Sequence, residues 1–165
     1  MENPKVYFDI EIAGKPKGKI IFELYAKIVP KSAENFRALC THEKGFGYRG
    51  SIFFAIYPNF MIHGGDITRN NGSGGKSIYG KYFDDENFKV LHNKPGTLTM
   101  DNCGKNTNGS QFYITTAPCP WLDRNHVAIG RVIYGMEIVN YIETLATESY
   151  IPRKEIKIVR CGELI

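Results

Sequence analysis

The chain opens with apolar residues at every second position: Val6, Phe8, Ile10 and Ile12 alternate with Tyr7, Asp9 and Glu11. A period of two sends alternate side chains to opposite faces of a strand. Gly14-Lys15-Pro16-Lys17-Gly18 then supplies turn residues, and Ile20, Phe22 and Leu24 resume the alternation. The segment predicts a β-hairpin. Further short strands are predicted over 52–56, 60–63, 97–100, 112–115, 127–133 and 156–159, separated by stretches rich in Gly, Asn and Pro. Two stretches carry a helical period instead. Pro30 suits an early helical position, and Ala33, Phe36, Leu39 and Cys40 behind it share one face. Met136, Val139, Ile142 and Leu145 recur three apart and predict the second helix.

Many short strands with two isolated helices suit a closed antiparallel β-barrel, since closure removes aggregation-prone edges and leaves two open ends for helices to cover. Periodicity alone leaves a sandwich or an α+β sheet open. The length of 165 residues, 42% of them hydrophobic and 13% aromatic, suits one domain over 1–165 with a substantial core. The net charge of +4 is spread over 21 basic and 17 acidic residues without a basic block, so charge does not point to direct nucleic-acid binding. The N-terminus has no basic region followed by an apolar run, and no apolar stretch is long enough to cross a membrane. The expectation is a soluble protein of the cytoplasm, with the nucleus also open, and a monomer.

Several chemistries are excluded by spacing. Cys40, Cys103, Cys119 and Cys161 form no C-x-x-C pair, and His42, His63, His92 and His126 match no ligand pattern, so no metal or cofactor is expected. No serine sits in a G-x-S-x-G elbow. Gly72-Ser73-Gly74-Gly75-Lys76-Ser77 looks like a phosphate-binding loop, but its first glycine position is Asn70 and no helical signal follows. Asn71-Gly72-Ser73 and Asn108-Gly109-Ser110 fit the glycosylation pattern and read more simply as turns.

Three segments carry a family resemblance. They are Ser51-Ile52-Phe53-Phe54-Ala55-Ile56-Tyr57-Pro58-Asn59-Phe60-Met61-Ile62-His63-Gly64-Gly65-Asp66, Asn106-Thr107-Asn108-Gly109-Ser110-Gln111-Phe112 and Trp121-Leu122-Asp123-Arg124-Asn125-His126-Val127. Together they resemble the cyclophilin family of peptidyl-prolyl cis-trans isomerases, from Val6 to Leu164 without a sizeable gap. The resemblance implies a mainly β fold, an eight-stranded closed antiparallel barrel capped by two α-helices.

It also implies a reaction in which no bond is made or cut. The X-Pro amide barrier is about 18–20 kcal/mol because the nitrogen lone pair is conjugated with the carbonyl. A catalyst needs an apolar slot for the proline ring, anchors for the flanking backbone, and a donor that favours the twisted amide. Phe60, Met61, Tyr113, Leu122 and His126 match positions that line the slot. Asn102 and Gln111 match residues that hold substrate backbone. Trp121 matches a residue that contacts bound peptide and donates to cyclosporin, which makes cyclosporin a candidate ligand beside proline-containing peptides and folding proteins.

The departures fall at the donor. The family's usual Phe-His-Arg is Phe53-Phe54-Ala55 here, and the glutamine that supports the arginine is His63. Arginine offers a permanent charge and a rigid fork of donors, and alanine offers neither. His63 lies two residues beyond Met61 on the same strand face and is the candidate substitute donor. Tyr113 replaces the more usual phenylalanine, and Asp101 stands where alanine is usual. The reading is an isomerase of reduced turnover; the alternative is a non-catalytic proline-binding module in a larger assembly such as the splicing machinery. Some redox-sensitive relatives carry cysteines matching Cys40 and Cys161, but also a loop insertion near 44–50 that this chain lacks, so free thiols are expected.

Overall fold

Turn chemistry sets the first hairpin. Ala13 and Gly14 both have positive φ, 52° and 77°, the backbone of a two-residue hairpin turn. In this computed structural model, which describes residues 2–165, β1 (Lys5–Ile12) and β2 (Lys15–Leu24) pair from Ile12 opposite Lys15 to Lys5 opposite Glu23. The turn is tighter than Gly14 to Gly18, and Lys15 to Gly18 already belong to β2. Pro16 fits there because β7 pairs with β2 only from Ile21 onward, leaving that stretch of β2 an open edge.

The remaining strands are β3 (Ala55–Tyr57), β4 (Met61–Gly64), β5 (Thr97–Met100), β6 (Phe112–Thr115), β7 (Ala128–Tyr134) and β8 (Ile156–Leu164). The eight form one sheet in the order β3-β4-β6-β5-β7-β2-β1-β8, and every paired neighbour is antiparallel. Its two ends meet through the segment before β3. Gly50 N–H donates to Ile158 O at 2.7 Å, Ile158 N–H to Ser51 O at 2.9 Å and Phe53 N–H to Ile156 O at 2.9 Å. This corrects the strand expected over 52–56: residues 50–53 bond to β8, and from Phe54 the partner is β4, so the run straddles a change of neighbour.

Two helices complete the fold. The first, α1 (Pro30–Thr41), has no side-chain cap from Val29; Glu86 instead accepts Lys31 N–H at 3.0 Å and Ser32 N–H at 2.8 Å. A carboxylate at a helix N-terminus satisfies free amides and complements the dipole. The second, α2 (Met136–Glu143), stops short of Leu145, which is buried all the same. α1 packs on β1, β7 and β8, and α2 on β2, β3 and β4.

Both helices feed one core. Phe8, Phe22, Phe36, Tyr48 and Phe112 form a ring cluster with centroids 4.9–5.9 Å apart, and truncating a ring in such a cluster costs about 3–5 kcal/mol. Ile62, Phe112 and Ile114 point into that core. By alternation Met61, His63 and Tyr113 occupy the outer face of β4 and β6, so a rigid interior fixes an outward-facing platform. Among the described residues no helix is long and apolar enough to cross a membrane.

Candidate active site

Strand register builds one row on that platform. Ala55 lies opposite His63, His63 opposite Tyr113 and Tyr113 opposite Thr99, across β3, β4, β6 and β5. The His63 ring sits between two others, 4.4 Å from Phe54 and 4.7 Å from Tyr113. Asp101, just past β5, joins them. Tyr113 Oη donates to Asp101 Oδ1 at 2.6 Å. His63 Nε2 lies 3.4 Å from Asp101 Oδ2 but is poorly aimed, and the buried Nε2 makes no hydrogen bond.

Burial would raise the Asp101 carboxyl; the His63 imidazole and the Tyr113 hydroxyl outweigh it and hold the group below its ordinary value. Burial, with the Asp101 charge behind it, pushes the Tyr113 phenol up. At neutral pH Asp101 is therefore a carboxylate and Tyr113 its donor. Among the described residues, no arginine or lysine pairs with Asp101.

The apolar residues gather beside this row. Phe60 stands edge-on to Trp121 at 5.3 Å and to Tyr113 at 6.1 Å, and His126 lies 5.4 Å from Tyr113. A 3-10 turn, Pro120–Leu122, buries Leu122 and leaves Trp121 54% exposed. That exposure rules out a core anchor for the single tryptophan. Met61 is buried on β4 opposite Thr115. His126 Nδ1 lies 2.8 Å from Met100 O and so carries the ring proton; its 3.4 Å approach to Asn102 Nδ2 is then donor against donor.

The two amide residues differ. Asn102 Nδ2 donates to Asn125 O at 2.8 Å and its Oδ1 accepts Gly104 N–H at 3.1 Å, so this side chain is satisfied internally. Gln111 Nε2 donates to Gly72 O and Gly74 O, both at 2.8 Å, while Oε1 is buried without a partner. Two carbonyls on one side fix the amide orientation. The orphaned acceptor faces a region where a cavity of about 90 Å³ is lined by Gln111, Asp101, Asn102 and Gly72 to Gly75.

The loop that looked like a phosphate cradle is already filled. Asp66 is fully buried, and its carboxylate accepts N–H bonds from Thr68, Arg69, Asn71, Gly72 and Gly74 at 2.8–3.2 Å. Burial opposes the charge, and these amides together hold the carboxyl below its ordinary value. Gly75 N–H donates to Thr68 Oγ1 and Lys76 N–H to Ser110 Oγ, and the Lys76 ammonium lies 4.1 Å over the Phe46 ring. No amide of the loop is left for an anion. Its role is to present the carbonyls of Gly72 and Gly74 to Gln111.

His92 has a similar supporting role. Its Nδ1 is 2.8 Å from Asp123 Oδ1 and its Nε2 2.8 Å from Thr99 Oγ1, tying the Trp121 turn to β5. Burial lowers its pKa against the opposing pull of Asp123. Neither Asp66 nor His92 was singled out from sequence. Asp66 had a usable signal, a carboxylate directly before a loop rich in Asn, Ser and Gly. His92 had none, since Thr99 and Asp123 flank it by 7 and 31 positions.

All four cysteines are free. Burial pushes the Cys40 thiol well up and the Cys161 thiol to about 11, which keeps both protonated and unreactive at neutral pH.

The outer face of the eight-stranded sheet thus brings aromatic residues together with the amides of Asn102 and Gln111. A family model, cyclophilin type peptidyl-prolyl cis-trans isomerase/CLD, matches residues 7–163. The match spans nearly the whole chain, and the chain belongs to the cyclophilin-type peptidyl-prolyl cis-trans isomerase family.

Proposed function

We propose that this chain binds X-Pro segments of peptides and folding proteins through the Phe60–Trp121–Tyr113–His126 face, and isomerises them slowly. One observation carries the reading: alanine, with no donor on its side chain, begins the row opposite His63, while Phe60, Trp121, Tyr113 and His126 gather beside it. Phe60, Met61, Tyr113, Leu122 and His126 supply the slot for the proline ring. Gln111 supports backbone capture, because its buried Oε1 lacks a donor and a peptide N–H can provide one. Asn102 sits on the same side, with its amide already engaged.

Loss of one preorganised donor lowers rates by about 10²–10³, or roughly 2.7–4 kcal/mol. Desolvation and orientation in the slot remain, so weak turnover survives. His63 is the substitute donor in this reading, with its Nε2 free of any hydrogen bond. Cyclosporin is a candidate ligand because the Trp121 indole is exposed at the edge of the slot.

A proline-peptide exchange assay by NMR, run without a coupling protease, tests the reading. Peptide binding with a small rate above background supports it. A rate typical of an intact arginine site refutes reduced turnover, and binding with no rate at all selects the non-catalytic module.

A further inference from the structure

One concave apolar surface lies outside the groove. Ile52, Phe54, Ile151 and Pro152 line a cavity of about 370 Å³, with Arg153, Lys154 and Glu155 beside them. Ile151 is 63% exposed, and Tyr150 before it is 46% exposed. The backbone that presents them is unusual. Tyr150 has φ 69°, a left-handed conformation that bulky side chains rarely adopt. It lays the Tyr150 ring flat on Tyr57, with centroids 4.4 Å and planes 16° apart, while the Tyr150 carbonyl accepts Ile56 N–H at 2.8 Å. The segment is thereby latched to β3, the strand that begins with Ala55.

Phe54 is the wall common to both sites. Its ring is 4.4 Å from His63 on the groove side, and the same residue lines the cavity on the other. It is held in place by Gly72, where an added Cβ would lie 2.8 Å from the ring. Cavity and groove are thus separated by one aromatic side chain. Ile52 lies three positions from Ala55, at most about 10 Å of chain, which an extended ligand spans with about three residues or fewer.

We propose that the cavity is a second subsite for the same ligand: a large apolar side chain two to four residues from the proline seats against Ile52, Phe54 and Ile151. The proposal rests on the reading of the groove as a proline-peptide site. Charge refines the ligand. Arg153 is engaged, donating to the Thr144 carbonyl, but among the described residues Lys154 makes no ion pair or side-chain hydrogen bond. Glu155 on the same rim already has the Lys157 ammonium at 3.8 Å, so a ligand carboxylate next to the apolar residue finds its cation at Lys154. The occupant is an extended proline-containing segment bearing an apolar residue with an acidic neighbour, and the chain selects it at two points.

Titration calorimetry with an alanine-based Gly-Pro parent peptide, and with variants carrying one leucine at each position up to five residues on either side, tests this. Partial burial of leucine gives about a 5–10-fold gain in affinity at one spacing of two to four residues. Ile151→Asp abolishes the gain and leaves parent binding unchanged; Ile151→Ala reduces it, which guards against misfolding of the charged variant. A flat leucine profile with the parent still bound overturns the subsite alone, as does a gain that survives Ile151→Asp. A parent peptide that fails to bind overturns the groove reading, and this proposal with it.

Discussion

Placing arginine at position 55 separates loss of a donor from loss of the site. By the oxyanion-hole analogy the missing group is worth about 10²–10³ in rate, or roughly 2.7–4 kcal/mol. The introduced guanidinium would not meet an empty groove. Ala55 faces His63 across the strand pair, at about 4.5–5.5 Å between Cβ atoms. His63 Nε2 in turn lies 3.4 Å from Asp101 Oδ2, so a long side chain at 55 has a largely buried carboxylate within reach. At about 4 Å and an effective dielectric near 20 that attraction is about 4 kcal/mol before desolvation. It matches the catalytic worth of the donor and competes for the same group. Ala55→Arg alone is therefore expected to gain less than about tenfold, and Ala55→Arg with Asp101→Ala the full 10²–10³ or so. NMR exchange on a proline peptide reads both, with Asp101→Ala alone as the control. A single replacement that recovers the full factor refutes capture by Asp101. A double replacement that still binds peptide but gains nothing refutes the donor argument itself.

Three further expectations follow from the site. Asp66→Ala leaves five backbone amides without their acceptor and lowers stability by about 2–4 kcal/mol, allowing for rehydration of the loop; chemical denaturation measures it, and peptide affinity falls as well because Gln111 loses its fixed carbonyls. The folded Asp101 carboxyl lies below its ordinary value of 3.8, so its stabilisation is present above that pH and is lost as pH falls through the folded value. The stability gap between the unmodified chain and Asp101→Asn accordingly closes under acid, and a gap constant down to pH 2 contradicts the assignment. Cyclosporin is expected to change the fluorescence of Trp121 saturably, with affinity reduced at least about tenfold in Trp121→Phe, the loss of one well-placed hydrogen bond and its packing.

The legible parts of this molecule are those with local periodicity. The β1–β2 hairpin and both helices follow from spacing, because their buried faces repeat at two or near 3.6 residues, whereas the short inner strands, buried at nearly every position, follow from apolar runs between turn residues. The miss at 52–56 has a physical cause: Phe53 is buried against Phe112 at 5.7 Å while the backbone passes from β8 to β4, and an apolar run does not reveal a change of partner. At the candidate site, Phe60, Gln111, Tyr113 and Trp121 are nominated by family resemblance, whereas their connections are not legible in the sequence. Asp101 and His63 are 38 positions apart, and nothing local says that one carboxylate receives Tyr113 and faces His63. Positive φ at Tyr150 is likewise invisible, since tyrosine gives no turn signal.

Residues 54, 55, 63, 101 and 113 do not act separately. Phe54 touches His63, His63 touches Tyr113 and Asp101, Tyr113 bonds Asp101, and Ala55 faces His63. Groups that share partners do not contribute additively. A catalytic role for His63 must therefore operate through this cluster. When protonated, the ring brings a cationic N–H to the face beside Ala55, but the carboxylate of Asp101 is its nearest acceptor, and donation to a bound peptide requires leaving it. Turnover is then expected to rise on acidification, to lose that rise in His63→Ala, and to increase in Asp101→Asn, where the competing charge is gone. A structural role for His63 predicts a different pattern: a flat pH profile of kcat/KM, with His63→Ala changing the unfolding midpoint and not the profile. The same three proteins distinguish the two, because only a donor couples the pH dependence of the rate to the identity of residue 101.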